Sequence, residues 1–324
     1  AQPDRSLNQY LLCEAHLSAN DGSEAAMACR KAKRQNPDYL PGLLTVTRLY
    51  LHRGDLTKAS SVLDRLESRF GDHWGIAKLR VRTLIHRHRI SEARARLDEW
   101  RQRPVAEEDE FHLFDGLVAL ARADYDRALG HFEKAESDSR YRQEARLHRA
   151  QTLTRLGKLE EAVSVIRDGL TDHPRWRPAA WLIFGEIRRR QGRLADATEN
   201  FDLAEKYWDP GLTPPWRVSQ LYKERAFTIR DQYGWADERV IQYLGEGKRL
   251  GDTESPEIQL GMGLYYLHGP QVDLERAATH LRKVIDLQPH RCRAIRGLAE
   301  TYRQLGRRSG VDEMEKLDRK NCGG

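Results

Sequence analysis

Between residues 6 and 210 short amphipathic segments alternate with polar turns, and the segments come in pairs. The best-formed pair runs from Trp181 to Pro210, WLIFGEIRRRQGRLADATENFDLAEKYWDP. Trp181, Phe184, Gly185 and Arg188 fall at i, i+3, i+4 and i+7, which puts three apolar or small groups on one helix face. Gln191-Gly192 ends that helix, because glycine accepts the left-handed backbone a helix stop requires. Ala197, Phe201 and Ala204 share a face of a second helix, and Pro210 lies just past its end. The small alanine of the second helix recurs as Ala25, Ala59, Ala93, Ala128, Ala162 and Ala197, at intervals of 34, 34, 35, 34 and 35 residues. Turn signals precede several of them: Asn20-Asp21-Gly22, Arg53-Gly54-Asp55, Ala123-Asp124-Tyr125, Leu156-Gly157-Lys158 and Gln191-Gly192-Arg193. Seven residues after each alanine stands Ala32, Leu66, Trp100, Ala135, Gly169 or Ala204, and Pro37, Pro104, Pro174 and Pro210 close four of the units.

Trp181, Phe184, Gly185, Ala197, Phe201, Ala204 and Pro210 sit at the spacing of the tetratricopeptide repeat, and the 34-residue period is that repeat's length. The chain resembles this family from Ser6 to Pro210 as a regular run of six repeats. A lone hairpin cannot bury its apolar face, so the units must stack. The fold expected is all-α, a right-handed superhelical α-solenoid of eight to nine hairpins. The passage Asp209-Pro210-Gly211-Leu212-Thr213-Pro214-Pro215 breaks the rhythm, since two successive prolines cannot sit inside a helix. An atypical repeat with this proline-rich connector is expected over 211–251, its second helix marked by Ala236, Val240 and Tyr243. C-terminal repeats follow over 252–324. There Leu260 to Val284 resembles the Sel-like relatives of the family, and Val311 to Lys320 reads as a polar capping helix.

Composition supports an elongated helical array: 32% of residues are charged, and the mean hydropathy is −0.75. The formal net charge of +6 is spread through every helix, which makes nucleic acid a poor partner. No apolar run reaches the length of a membrane span. The opening Ala1-Gln2-Pro3, without an initiator methionine, fits cleavage after a small-residue leader site and equally a chain trimmed in another way. In the repeat frame Cys13 takes the first-helix position normally held by glycine, and Cys29 the second-helix position normally held by an aromatic. Cys292 and Cys322 bracket the last hairpin. Each terminal hairpin thus holds a pair whose placement permits a disulfide, which points to the periplasm or to secretion. A cytosolic chain with four reduced cysteines is the alternative.

Motifs of catalysis are missing: no Gly-rich phosphate loop, no Gly-x-Ser-x-Gly elbow, no His-Glu-x-x-His. His86-Arg87-His88 lacks an acidic companion and reads as a solvated turn, and no metal or cofactor is expected. In tetratricopeptide arrays the first helices line the concave face. Their ninth positions here are Glu14, Arg48, Arg82, Leu117, Gln151 and Glu186, and their thirteenth are Ser18, His52, His86, Ala121, Arg155 and Arg190. The resemblance therefore implies two basic zones, Arg48 with Arg82, and Arg155 with Arg189 and Arg190, separated by Leu113, Phe114, Leu117 and Leu120. Such a groove suits an extended peptide with acidic ends, or an acidic polysaccharide. The paired asparagines of family members that clamp a terminal carboxylate are lacking. The reading is a noncatalytic scaffold binding a protein partner in the bacterial envelope, in assembly, secretion or polysaccharide export; arginine in excess of lysine fits a GC-rich bacterium. A cytosolic peptide-binding adaptor and a glycan- or polyanion-binding array stand as alternatives.

Overall fold

The computed structural model describes residues 3–103, 108–167, 169–250 and 255–323. Pro104 and the expected boundary at 251–252 lie outside them. Among the described residues there are eighteen α-helices and no strand. The chain forms two compact units, Ala1–Pro214 and Pro215–Gly324.

The first unit holds six helical hairpins: α1 (Pro3–Ser18) with α2 (Gly22–Gln35), α3 (Leu40–His52) with α4 (Leu56–Phe70), α5 (Trp74–His86) with α6 (Ile90–Arg101), α7 (Glu108–Ala121) with α8 (Tyr125–Ala135), α9 (Arg142–Leu156) with α10 (Leu159–Arg167), and α11 (Arg177–Arg190) with α12 (Leu194–Lys206). All six ruler alanines are fully buried, at 0% exposure. A second pair of positions, sixteen residues apart as are Cys13 and Cys29, explains why. Gly116 faces Phe132 and Gly185 faces Phe201 so closely that a Cβ on the glycine would lie 2.5 and 2.3 Å from the ring. The same register holds Thr47 with Leu63, Val81 with Leu97, and Ala150 with Ile166, every one buried. Small-against-large packing at this crossing brings the two helices of a hairpin together and seals its alanine.

The turns obey one rule as well. Asn20, Gly54, His88, Ala123, Gly157 and Gly192 each stand five residues before a ruler alanine, and all have φ between 58 and 78°. His88 of the His-x-His motif is thus a turn residue in left-handed backbone. Asp21 caps α2 by accepting a hydrogen bond from the Glu24 amide at 3.1 Å.

Successive first helices pack closely on one another, α1 on α3, α3 on α5, α5 on α7, α7 on α9 and α9 on α11, whereas the backbones of the described second helices approach only their chain neighbours and α4 and α6 meet through the Arg96–Glu67 pair. The first helices are therefore the more closely spaced layer and line the concave side of the unit.

The passage after α12, expected to be a plain connector, closes the first unit on itself. Asn20 Nδ2 donates to the Tyr207 carbonyl at 3.1 Å, and the Gly22 amide donates to Asp209 Oδ2 at 3.0 Å. Arg53 Nε donates to the Gly211 carbonyl at 2.8 Å. Leu212 is buried in the apolar cluster of the first hairpin with Cys13, Leu17 and Ala25. A glycine is needed at position 22, where a Cβ would sit 2.4 Å from Asp209 Oδ1 and 2.8 Å from the Gly211 carbonyl carbon.

The second unit holds three hairpins: α13 (Pro215–Tyr233) with α14 (Arg239–Leu250), α15 (Pro256–His268) with α16 (Leu274–Leu287), and α17 (Cys292–Gln304) with α18 (Arg308–Cys322). Pro215 opens α13, where its missing N–H costs nothing. The expected register at Ala236 is displaced: Ala236 is exposed in the turn before α14, and Val240, Leu244 and Gly247 take the buried positions four residues on. Met314 alone is fully buried on α18, as a terminal cap with a wet outer face requires. Cys13 and Cys29 lie with their Cα atoms 5.2 Å apart, and Cys292 and Cys322 with theirs 5.7 Å apart. Both separations are those of disulfides.

Candidate functional site

The concave face of the first unit is lined with charge, and most of that charge is matched internally. Arg48 on α3 pairs with Glu14 on α1, which also accepts a hydrogen bond from the Thr45 hydroxyl. Arg82 on α5 reaches past α7 to Glu144 on α9 in a two-pronged pair, with Nη2 2.9 Å from Oε2 and Nη1 on Oε1. Its guanidinium also lies over the Phe114 ring at 5.2 Å. Burial pushes the Glu144 carboxyl up, but the Arg82 guanidinium outweighs it and holds the group at about 2. Glu186, 1% exposed, accepts from Arg190 at 2.9 Å and pairs with Arg155 at 3.3 Å. Arg190 donates in addition to the Thr154 carbonyl at 3.1 Å.

The structure thus joins Arg155, Glu186 and Arg190 in one cluster. Arg48 and Arg82 do not merge into a free basic zone, because each is matched by a carboxylate. Gln151 and Arg189 are half-buried. The apolar strip expected between the zones is mostly core: Leu113 and Phe114 are 0% and 1% exposed, while Leu117 is half-buried against the same cluster. The reason is the hairpin crossing at Gly116, which draws this face of α7 inward.

One cation of this face was missed by counting helix positions. Arg175 lies in the loop before α11, and its Nη2 stands 3.0 Å from Nε2 of His52 at the end of α3. A guanidinium has no lone pair to offer, so the imidazole nitrogen accepts and the ring is neutral. Burial and then the Arg175 charge hold His52 down to about 3. Arg175 rests on the Trp176 ring at 4.7 Å, and its Nε is buried without a hydrogen-bond partner. Burial lowers its own pKa as well. Among the described residues no carboxylate is in contact with it. A guanidinium held half-buried beside a neutral imidazole is a ready donor for an incoming carboxylate.

No helix among the described residues is long and apolar enough to cross a membrane. Residues 119–185 match the family described as tetratricopeptide repeat. No curated protein matches the sequence. Among solved structures the fold is similar to the APC/C hetero-tetramer Cut9-Hcn1, with TM-score 0.72 and 13% identity over 97% of this chain. This chain spans 60% of that one. It is also similar to Rap protein complexed with Competence and Sporulation Factor, with TM-score 0.65 and 13% identity over 98% of each chain. The apo quorum sensor NprR from B. thuringiensis follows, with TM-score 0.56 and 13% identity over 96% of this chain and 97% of that one. Residues 119–185, which carry the family match, lie within the first unit, every hairpin of which shows the same repeat register, and the fold of the chain is that of a tetratricopeptide-type helical array.

Proposed function

We propose that the chain is a noncatalytic scaffold that binds a protein partner through an extended acidic segment on the concave face of its first unit. The observation that carries this reading is Arg175, a half-buried guanidinium whose Nε has no hydrogen-bond partner and whose Nη2 meets a neutral imidazole. Arg155 and Arg190, which both pair with Glu186, lie on the same face. A partner carboxylate supplies the hydrogen-bond acceptor that Arg175 lacks. The match of Arg48 by Glu14 and of Arg82 by Glu144 argues against a long polyanion, which those carboxylates would repel. Rap protein, similar in fold over 98% of both chains, is complexed with Competence and Sporulation Factor, a precedent for ligand binding by this architecture.

The two cysteine pairs at disulfide separation support placement outside the cytoplasm, in the bacterial envelope or secreted, where a partner would be held during assembly, secretion or polysaccharide export. A cytosolic adaptor is the competing assignment. Mass spectrometry of the protein taken from its native host without reductant separates the two, since four free thiols would overturn the envelope placement.

The binding test is site-specific photocrosslinking. A photoreactive residue at Gln151 on the concave side is expected to trap a partner that one at exposed Arg127 on α8 does not. Arg175→Gln is expected to weaken capture by at least ~10-fold, the scale of losing one charge-assisted hydrogen bond. Equal crosslinking from both positions would end the concave-face reading. A strong loss of binding between low and moderate salt would favour a polyanion instead.

A further inference from the structure

We propose that His112, Asp115 and His131 form a binding site for one divalent transition-metal ion of the zinc class. His112 and Asp115 are one turn apart on α7, and His131 lies on α8. One ligand atom from each falls within 4.8 Å of the other two, and the two Nδ1 atoms are 3.4 Å apart. Two imidazole nitrogens bound at about 2.0–2.1 Å to one tetrahedral ion stand roughly 3.3–3.4 Å apart, so the rings already have the spacing of coligands.

The arrangement is built into the hairpin rather than left to surface rotamers. Gly116 and Phe132 are the tight crossing point of this repeat, where a Cβ would lie 2.5 Å from the ring, and His131 and Asp115 are their immediate chain neighbours. The backbone positions of Asp115 and His131 are therefore fixed by the same contact that seals the repeat, and His112 lies one turn before Gly116 on the same helix. Asp115 is 4% exposed and is oriented by Arg101 on one oxygen and, at 3.4 Å, by Arg94 on the other. A ligand carboxylate held by an outer hydrogen-bond donor is the usual support of a metal site.

The donor set fixes the class of ion. Two imidazoles and one carboxylate suit zinc, cobalt, nickel or copper, and not calcium or magnesium, which take oxygen. Three protein ligands leave a fourth position for water or an outside donor. Arg94, Arg101 and Lys134 are cations around the site and oppose a doubly charged ion. The ion must take the Asp115 oxygen held by the longer Arg94 contact. Binding is accordingly weaker than in a three-ligand site without these cations.

The test uses the full chain with its cysteine pairs oxidised and no affinity-tag histidines, titrated with zinc chloride in the micromolar range. One equivalent is expected to remain after gel filtration, with a rise in melting temperature, and cobalt is expected to give the visible absorption of a four-coordinate ion. His112→Gln and His131→Gln should each weaken zinc binding by at least ~10-fold with unchanged helicity, while His88→Gln keeps it. X-ray absorption of the zinc-loaded wild type should show nitrogen and oxygen neighbours and no sulfur. Failure of the wild type to retain zinc, retention by the double histidine variant, or sulfur in the coordination shell would each overturn the site.

Discussion

Of the six hairpin turns in the first unit, three carry a left-handed residue that is not glycine: Asn20, His88 and Ala123. Asparagine tolerates that backbone and glycine takes it freely, but for alanine it costs about 1–2 kcal/mol. Ala123→Gly should therefore raise stability by about 1 kcal/mol, read as a higher urea midpoint with an unchanged slope. A second prediction at this scale concerns acid. The neutral His52 of the folded state has its pKa depressed to about 3, against 6.5 for the ordinary side chain. As pH falls below 6.5 the unfolded chain takes up a proton that the folded chain refuses, so stability is lost down to about pH 3. Melting temperatures of His52→Gln should fall less than those of the wild type between pH 7 and 5. An identical decline would mean that His52 is not held neutral.

The elements show what the sequence made legible. Each second helix of the first unit announced itself by its alanine, because a residue that must be small and buried leaves the same mark at every period. The inner-face positions were legible for the same reason: Arg48, Arg82 and Glu186 stand on first helices where the repeat frame puts them. Their partners were not. Glu144 meets Arg82 from two repeats away, and Arg175 meets His52 from a loop, so neither contact has a fixed sequence spacing. Ala236 misled for the converse reason, since an alanine in a turn looks like an alanine on a helix when the periodicity is already broken by prolines. The two cysteine pairs differ at this scale. Cys13 and Cys29 are buried at 0% and 2%, in the place where other hairpins use glycine against phenylalanine, whereas Cys292 and Cys322 are partly exposed. Mild reductant followed by thiol labelling should open Cys292–Cys322 first. Removing Cys13 and Cys29 together should cost the first hairpin about 3 kcal/mol, the value for a closed loop of similar length.

For the molecule as a whole, each unit has its own cores and its own terminal hairpin. Within the first, Gly22 is the point where the clasp between the first hairpin and the segment after α12 is most easily broken. Gly22→Val forces the Gly211 backbone away, at a cost of roughly 1–3 kcal/mol. Hydrogen exchange should then rise in α1, α2 and residues 207–212 while α5 to α10 stay protected. Unchanged exchange in α1 and α2 would show that the clasp contributes nothing.

That clasp also changes how the unit comes apart. A linear array of repeats behaves as a one-dimensional chain in which stability is a sum of nearest-neighbour terms, and ends fray independently. Hydrogen bonds spanning 187 residues convert the row into a loop with no free end on that side. Fraying of the first hairpin then also breaks contacts made by residues beyond the sixth, so the six repeats should unfold in one sharp transition. Folding must in turn wait for the most distant pair of contacts to meet, which ties the speed of assembly to closure of the loop rather than to propagation from repeat to repeat.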